Sequence, residues 1–357
     1  MSSALSNQPC ISVIVPTYGR EAVLCDTIKS ILQQDYPTYE VIVVDQTQDH
    51  VPATQLFLEQ ASAAGHIQLH TVAWASLPAA RNYAIERSNG DVLLFLDDDV
   101  ELPEGYLWGH ARNYQRDAEI GAVAGRVFDR MKLAESRSAK RIEDLPPEAM
   151  DPGIAWYHID LVHTVKPQQV LTARGCNMSF RREVFTTHGL RFDERFRGSA
   201  VREESDFCLR FRRTGLKIWY DPAAHLIHLG EETGGCHDIS TRSLKYQITF
   251  YHNHFLMALK NLTPWQLARL SGRLFDCHVL GNPPCNKSGS AVAIASRLCF
   301  YLLGFLKACL SLLSPSDRDG RVFTSPIPMS VEASGQNLRD LKDELSATPG
   351  EPAAHSV

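Results

Sequence analysis

Asp91-Val92-Leu93-Leu94-Phe95-Leu96-Asp97-Asp98-Asp99 decides how the chain folds. Its apolar run is long enough for one buried strand and too short for a buried helix. The run ends on three carboxylates, which repel one another strongly at the mouth of a sheet. A divalent cation with oxygen ligands is the economical compensation, and such a cation in turn holds a diphosphate. An acidic loop, or aspartates capping a helix, would show the same triplet, so its surroundings must decide.

Upstream, the apolar period alternates. Ile11-Ser12-Val13-Ile14-Val15 is a buried strand ended by Pro16, and Val23, Leu24, Thr27, Ile28, Ile31 and Leu32 follow at helical spacing. Glu40 to Val44 is a second strand ending in Asp45, residues 56–64 are helical, and 67–72 form a third strand. Pro78 opens a helix that Asn89-Gly90 stops. Strands alternating with helices imply right-handed crossovers and a parallel sheet. Ligands of such sheets bind beyond the carboxyl ends of the strands. Thr17, Asp45 and Asp97 to Asp99 all fall at those ends.

Downstream, residues 104–117 read as helix and 120–127 as strand. Residues 131–170 are polar and irregular, as in a lid or binding loop. A mixed segment runs from 171 to 229. Residues 244–274 are helical, with Pro264 opening a new segment, and 291–313 form a strongly apolar run interrupted by Arg297 and Lys307. The tail from Ser314 is rich in Ser, Pro, Asp and Glu and is expected to be disordered.

With 357 residues, the chain has room for one large or two small domains. Its net charge of -5 offers no basic field for nucleic acid. The nine cysteines are scattered without a CxxC pair, which argues against a zinc site or a disulfide framework and fits a reducing compartment. Residues 1–9 are polar and lack the basic and apolar regions of a signal peptide, so a cytosolic setting is expected.

At this point a resemblance emerges. Residues 11–20, Ile-Ser-Val-Ile-Val-Pro-Thr-Tyr-Gly-Arg, resemble the opening strand of family 2 glycosyltransferases with the GT-A fold. Val43-Val44-Asp45-Gln46-Thr47 is similar to that family's second strand and nucleotide-binding Asp. Pro78 to Ile85, then Gly90-Asp91 and Asp97 to Asp99, resemble its Arg-Asn helix and DXD metal motif. Gly175 to Arg182 is similar to its acceptor-side strand, Glu203-Glu204-Ser205-Asp206 to its catalytic acidic motif, and Pro222 to His228 to the segment ending in its metal-side histidine. The resemblance covers about residues 10–230 in the right order. Two departures stand out: Glu203-Glu204 where the family usually has Glu-Asp, and Asp45-Gln46-Thr47-Gln48 where Asp-Asp-Gly-Ser is common. None of the five tryptophans follows an arginine, so the QxxRW motif of the processive synthases is missing and a processive polymerase is rejected.

The resemblance implies an α/β fold of GT-A type: a Rossmann-like, mostly parallel central sheet with flanking helices, plus a C-terminal helical extension. The expected organisation is a flexible 1–9, a glycosyltransferase domain over 10–240 divided at 127/128 into nucleotide-sugar and acceptor halves, C-terminal helices over 241–314, and the tail 315–357. It further implies an inverting, metal-dependent transfer of one sugar from a nucleoside diphosphate-sugar to a saccharide or lipid-linked acceptor, in polysaccharide or glycolipid assembly at the cytoplasmic face of the membrane.

On the nucleotide-sugar side stand Pro16, Thr17, Tyr18, Arg20, Asp45, Arg81, Asp97 and Asp98. Asp45 can accept a bond from base or ribose, or be a simple turn residue. Arg81 can neutralise phosphate through its planar fork, or lie on a helix surface. Asp98 is directed to the sugar. Asp99, Asp97 and His228, with His225 as second choice, would hold Mg²⁺ or Mn²⁺ acting as a Lewis acid on the leaving group. Glu204, with Glu203 second, is the expected base; both, with Asp206, could instead merely favour a helix start. Asn177 and Asp206 are placed on the acceptor side. The loop 231–235 is expected to close over the nucleotide. The run 291–313 is long enough to span a bilayer, yet its two charges favour an interfacial helix equally, and a buried core helix is a third reading. Two rivals remain: a nucleotidyltransferase, for which a glycine-rich basic loop is missing, and a noncatalytic sugar-nucleotide sensor or scaffold.

Overall fold

The computed structural model describes residues 8–130, 141–235, 243–287 and 289–314. The expected disordered tail, residues 1–7 and the stretch 131–140 lie outside the described residues.

β1 (Ile11–Thr17) is buried along its whole length. It leads into α1 (Ala22–Leu32), whose Leu24, Ile28 and Ile31 are buried at helical spacing. β2 (Tyr39–Asp45), α2 (Pro52–Ala63), β3 (Gln68–Thr71), α3 (Leu77–Ile85) and β4 (Val92–Leu96) continue the alternation. Helices on both faces explain why β1 and β4 are continuous apolar runs rather than alternating ones. The four strands pair in parallel in the order β3-β2-β1-β4. Register sets Thr17 opposite Asp45 and Asp45 opposite Thr71, so the polar strand ends share one edge.

The second half is mixed. β5 (Val100–Glu101), α4 (Tyr106–Arg116), β6 (Ile120–Asp129), β7 (Gln168–Gln169), β8 (Asn177–Arg181), a single turn α5 (Glu183–Thr186), α6 (Glu203–Phe211) and β9 (Lys217–His228) follow in order. β8 enters antiparallel between β4 and β6, β9 runs parallel to β6, and β5 and β7 pair antiparallel with β9. This arrangement brings His228 level with Val100 and Asp129. The described part of the expected irregular stretch holds two short 3-10 turns, Pro147–Met150 and Ala155–Tyr157.

α7 (Leu244–Asn261), α8 (Pro264–Leu274) and α9 (Ala291–Leu313) complete the order. Thr263 and Gln266 form a reciprocal capping box ahead of α8, with Pro264 in its first turn. Tyr251, Phe255, Leu256 and Met257 of α7 share one core with Leu171, Phe196 and Leu209 of the second half. α9 is no core helix: Gly304 and Ala308 are its only buried residues.

Candidate active site

The carboxyl ends of β1, β4 and β9 open onto a cleft of about 330 Å³. Pro16, Thr17, Tyr18, Arg20, Arg81, Asp97, Asp98, Asp99, Glu203, Glu204 and His228 all line it. Residues as far apart in sequence as 16 and 228 therefore meet where strand order alone placed the ligand.

Asp97, Asp99 and His228 offer ligand atoms that lie within 4.8 Å of one another. Nε2 of His228 is 3.3 Å from Asp99 Oδ1 and 3.9 Å from Asp97 Oδ2, while Nδ1 is 3.5 Å from Asp129. Burial disfavours the charged ring, but the hydrogen bonds to Asp129 and Asp99 and the acids around it outweigh burial and push its pKa up to about 10. Asp129, bonded to the same ring and paired with Arg174, is pulled down to about 2. For Asp99, burial acts upward, but the His228 bond and charge, with Arg20, hold it below the usual carboxylate range. Two carboxylates and an imidazole that gives up its ring proton suit a divalent cation of the Mg²⁺ or Mn²⁺ kind. His225, the second choice, is three residues away on the same strand. An odd spacing points it to the other face, where its ring meets Phe128 edge-on at 6.0 Å.

The triplet divides its labour. Asp97 is the accessible member, its side chain 33% exposed. Where the sequence directs Asp98 to the sugar, the structure turns its carboxylate inward: Oδ1 accepts from Arg20 Nε at 3.1 Å. Burial raises the Asp98 pKa to about 7, with Arg20 opposing. Arg20 also donates to Asp99 Oδ2 at 3.1 Å, and through Nη1 to the carbonyls of Glu231, at 3.1 Å, and Thr233. The loop 231–235 is thus docked against the end of β1, with the Gly235 N–H donating to the Tyr18 carbonyl at 2.6 Å.

Arg81 is not on a helix surface. Every residue of α3 from Pro78 to Ile85 is buried. Its guanidinium is paired with Glu203, donates to the Gly175 carbonyl at 3.0 Å and stands 3.7 Å from Asp97. Glu203 is therefore committed to Arg81 and 2% exposed. Glu204 is half-buried and accepts the Ser205 hydroxyl at 2.9 Å. Glu203, Glu204 and Asp206 all stand in the first turn of α6, whose cap residue Arg202 has φ +74°. Acids there favour the helix start, and Glu204 in addition lines the cleft.

Three of the expected site residues stand outside the cleft lining. Asn177 is buried: its Nδ2 donates to the carbonyls of Arg126 and Ala224, and its Oδ1 accepts from Tyr106 and His110. Asp206 is fully buried against Arg210, Lys260 and Asn261. Buried polar groups of this kind are satisfied within the fold. Asp45 lies at the strand end but outside the cleft lining; its Oδ1 accepts the Thr47 N–H, closing a turn of the Asx kind, and its Oδ2 meets His50 at 2.9 Å.

A second cavity of about 1080 Å³ adjoins the first, and Arg174 and Glu204 line both. Trp156, Tyr157 and Arg202 line the second alone, the Arg202 guanidinium lying 4.8 Å from the Trp156 ring centre. Sequence reasoning missed Asp129, Arg174 and this cavity. Asp129 ends β6 as Asp45 ends β2, so the strand-end rule carried a signal for it; Arg202 and Trp156 carried none.

The family model for glycosyl transferase family 2 matches residues 12–189. The O-antigen biosynthesis protein RfbC of Myxococcus xanthus is 28% identical over 229 residues, which cover 62% of this chain and 17% of that protein. Hyaluronan synthase of Streptococcus pyogenes is 25% identical over 206 residues, covering 56% of this chain and 47% of the synthase. The chain thus spans less than half the length of these curated relatives. Among solved structures, S. aureus TarS 1-349 aligns over 88% of this chain and 92% of its own with a TM-score of 0.51, at 15% identity, a likeness of fold. With the strand-end cleft and the ordered motifs falling in the matched stretch and just beyond it, the chain belongs to glycosyl transferase family 2.

Proposed function

We propose that the chain is a divalent-metal-dependent, inverting glycosyltransferase that moves one sugar from a nucleoside diphosphate-sugar to a saccharide or lipid-linked acceptor. The observation that carries this reading is the position of Glu204, the one acid on the wall common to both cavities that is not spent on a buried partner. The smaller cleft, with the acids and Arg20, takes the donor; the larger, with Trp156 and Tyr157, takes the acceptor. Aromatic faces beside polar groups suit a sugar ring. The family and the names of its polysaccharide-assembling relatives support the substrate class.

Asp97, Asp99 and His228 would hold the cation, and bound there it would supply Lewis-acid stabilisation of the departing diphosphate. Arg81 holds Glu203 and Asp97 in place. Arg20 fixes Asp98 and Asp99, so the acids facing the donor are preorganised. Glu204 takes the proton of the acceptor hydroxyl as its oxygen bonds to the anomeric carbon and the bond from that carbon to the diphosphate oxygen breaks. One displacement on one face inverts the anomeric configuration.

The test is release of nucleoside diphosphate from UDP-, GDP- and dTDP-sugars, and of CMP from CMP-sugars, with Mn²⁺, Mg²⁺ or EDTA. A metal-dependent release from one nucleotide class is expected. Pyrophosphate released from a nucleoside triphosphate and a sugar 1-phosphate, with nothing released from the sugar nucleotides, would instead assign a nucleotidyltransferase, and no donor binding by a folded sample would leave a scaffold.

A further inference from the structure

α9 has 23 residues, no acid, and two cations, Arg297 and Lys307. Leu302, Leu306 and Leu310 follow one another by a turn and are 57%, 56% and 55% exposed. They lie on the side opposite Gly304 and Ala308, through which the helix backs onto α7. An apolar stripe of this length on a surface calls for an occupant.

By length and composition the helix could cross a bilayer. Its attachments oppose that. Arg297 Nε donates to the Val279 carbonyl at 2.7 Å, the Tyr301 hydroxyl to the Ser271 carbonyl at 3.1 Å, and Arg195 Nη1 to the Ser311 carbonyl at 3.1 Å. The helix is therefore held side-on from its second turn to its last. Were it to span, His252, whose Nε2 meets Ser311 Oγ at 2.8 Å, and the Asp193–Arg195 pair would enter hydrocarbon, where such groups are costly.

A second copy of the chain is a poor occupant. Helix dimensions give the stripe roughly 350 Å² (about 35 Å by ~10 Å), well short of the ~800 Å² per partner of a stable interface. A lipid surface needs no such area, and a helix with cations and no acids complements anionic headgroups.

We infer that α9 lies in the plane of an anionic membrane as a one-sided anchor, with Leu302, Leu306 and Leu310 among the acyl chains and the exposed Lys307 at headgroup level. The inference stands on the helix alone and does not require the proposed activity.

Flotation of the full-length protein tests it, with vesicles of phosphatidylcholine alone or mixed with phosphatidylglycerol. The protein should float with the mixed vesicles and more weakly with phosphatidylcholine. Replacing all three leucines (Leu302→Gln, Leu306→Gln, Leu310→Gln) should weaken binding by about tenfold or more, with circular dichroism unchanged. Alkaline carbonate should release the wild type. Failure to float, resistance to carbonate, which marks a span, or a concentration-dependent dimer abolished by the triple variant in place of vesicle binding would each overturn the inference.

Discussion

The adjacent glutamates provide the sharpest prediction, because the structure gives them opposite jobs. Glu204→Gln removes a half-buried carboxylate that accepts a neighbouring hydroxyl. Its loss should lower kcat by roughly 10²–10⁴-fold, the usual range for a positioned base, or about 3–5 kcal/mol of barrier. Its effect on folding should be small. Glu203→Gln removes the partner of Arg81, which is 1% exposed. Breaking a buried pair costs about 3–5 kcal/mol. Asp97 at 3.7 Å and a glutamine oxygen still able to accept from Arg81 argue for the low end. At about 2–4 °C per kcal/mol, a 3 kcal/mol loss would lower Tm by roughly 6–12 °C. The assays are donor turnover, followed by nucleotide release, and thermal unfolding. Full kcat in Glu204→Gln, or an undiminished Tm in Glu203→Gln with activity lost, would refute the division of roles.

Three further outcomes are expected. The His228 pKa is raised above its unfolded value, so the stability given by its charged form is complete below about pH 6.5 and is lost as pH rises through about 10. A metal must displace that proton, so Mn²⁺ affinity should climb about tenfold per pH unit between those limits; calorimetry in buffers of different ionisation enthalpy should count one proton released, and a pH-independent affinity would contradict the cluster. Asn177→Ala strands the carbonyls and hydroxyl that its amide serves, at about 1–3 kcal/mol for each unsatisfied group; the urea midpoint should fall, and KM for the acceptor should not change. Gly304→Ala places a Cβ 2.4 Å from that of Tyr251 and 2.9 Å from the His252 nitrogen. Overpacking against backbone costs about 1–3 kcal/mol, so Tm should drop, and an unchanged Tm would mean that α9 is not held as described.

The alternating strands and helices, and the acids at the strand ends, were legible because periodicity and parallel-sheet topology depend on local pattern. The division within the triplet, Asp97 and Asp99 to the metal and Asp98 apart, was an expectation carried by the resemblance, and the direction of Asp98 depends on its pairing with Arg20. Asp97 and Asp99 share the cluster with His228, while Asp98 in the bend beyond β4 is tied to Arg20. Asn177 and Asp206 could not be read from local pattern. Their polarity suggests function until Tyr106, at a separation of 71 residues, and Lys260 and Asn261, more than 50 residues on, are seen to absorb it. Arg81 hid for the same reason, since its burial depends on a glutamate 122 residues away.

Arg20 shows how such long-range pairing builds the site. Its fork ties the end of β1 to Asp98, to Asp99 and to the loop carbonyls at 231 and 233, reaching across more than 200 residues. At Asp99 this divides the carboxylate: Oδ2 accepts from Arg20 and from the Glu231 N–H at 3.0 Å, which leaves Oδ1 to face His228. A lysine could hold one of these oxygens but not the whole set, because its ammonium is a point rather than a fork. The close approach of the loop depends in turn on Gly234, where a Cβ would sit 2.2 Å from the Gly19 carbonyl oxygen. The geometry of the acidic cluster and the position of the loop are therefore one structural variable: whatever draws Asp99 Oδ2 away from Arg20 also loosens residues 231–235.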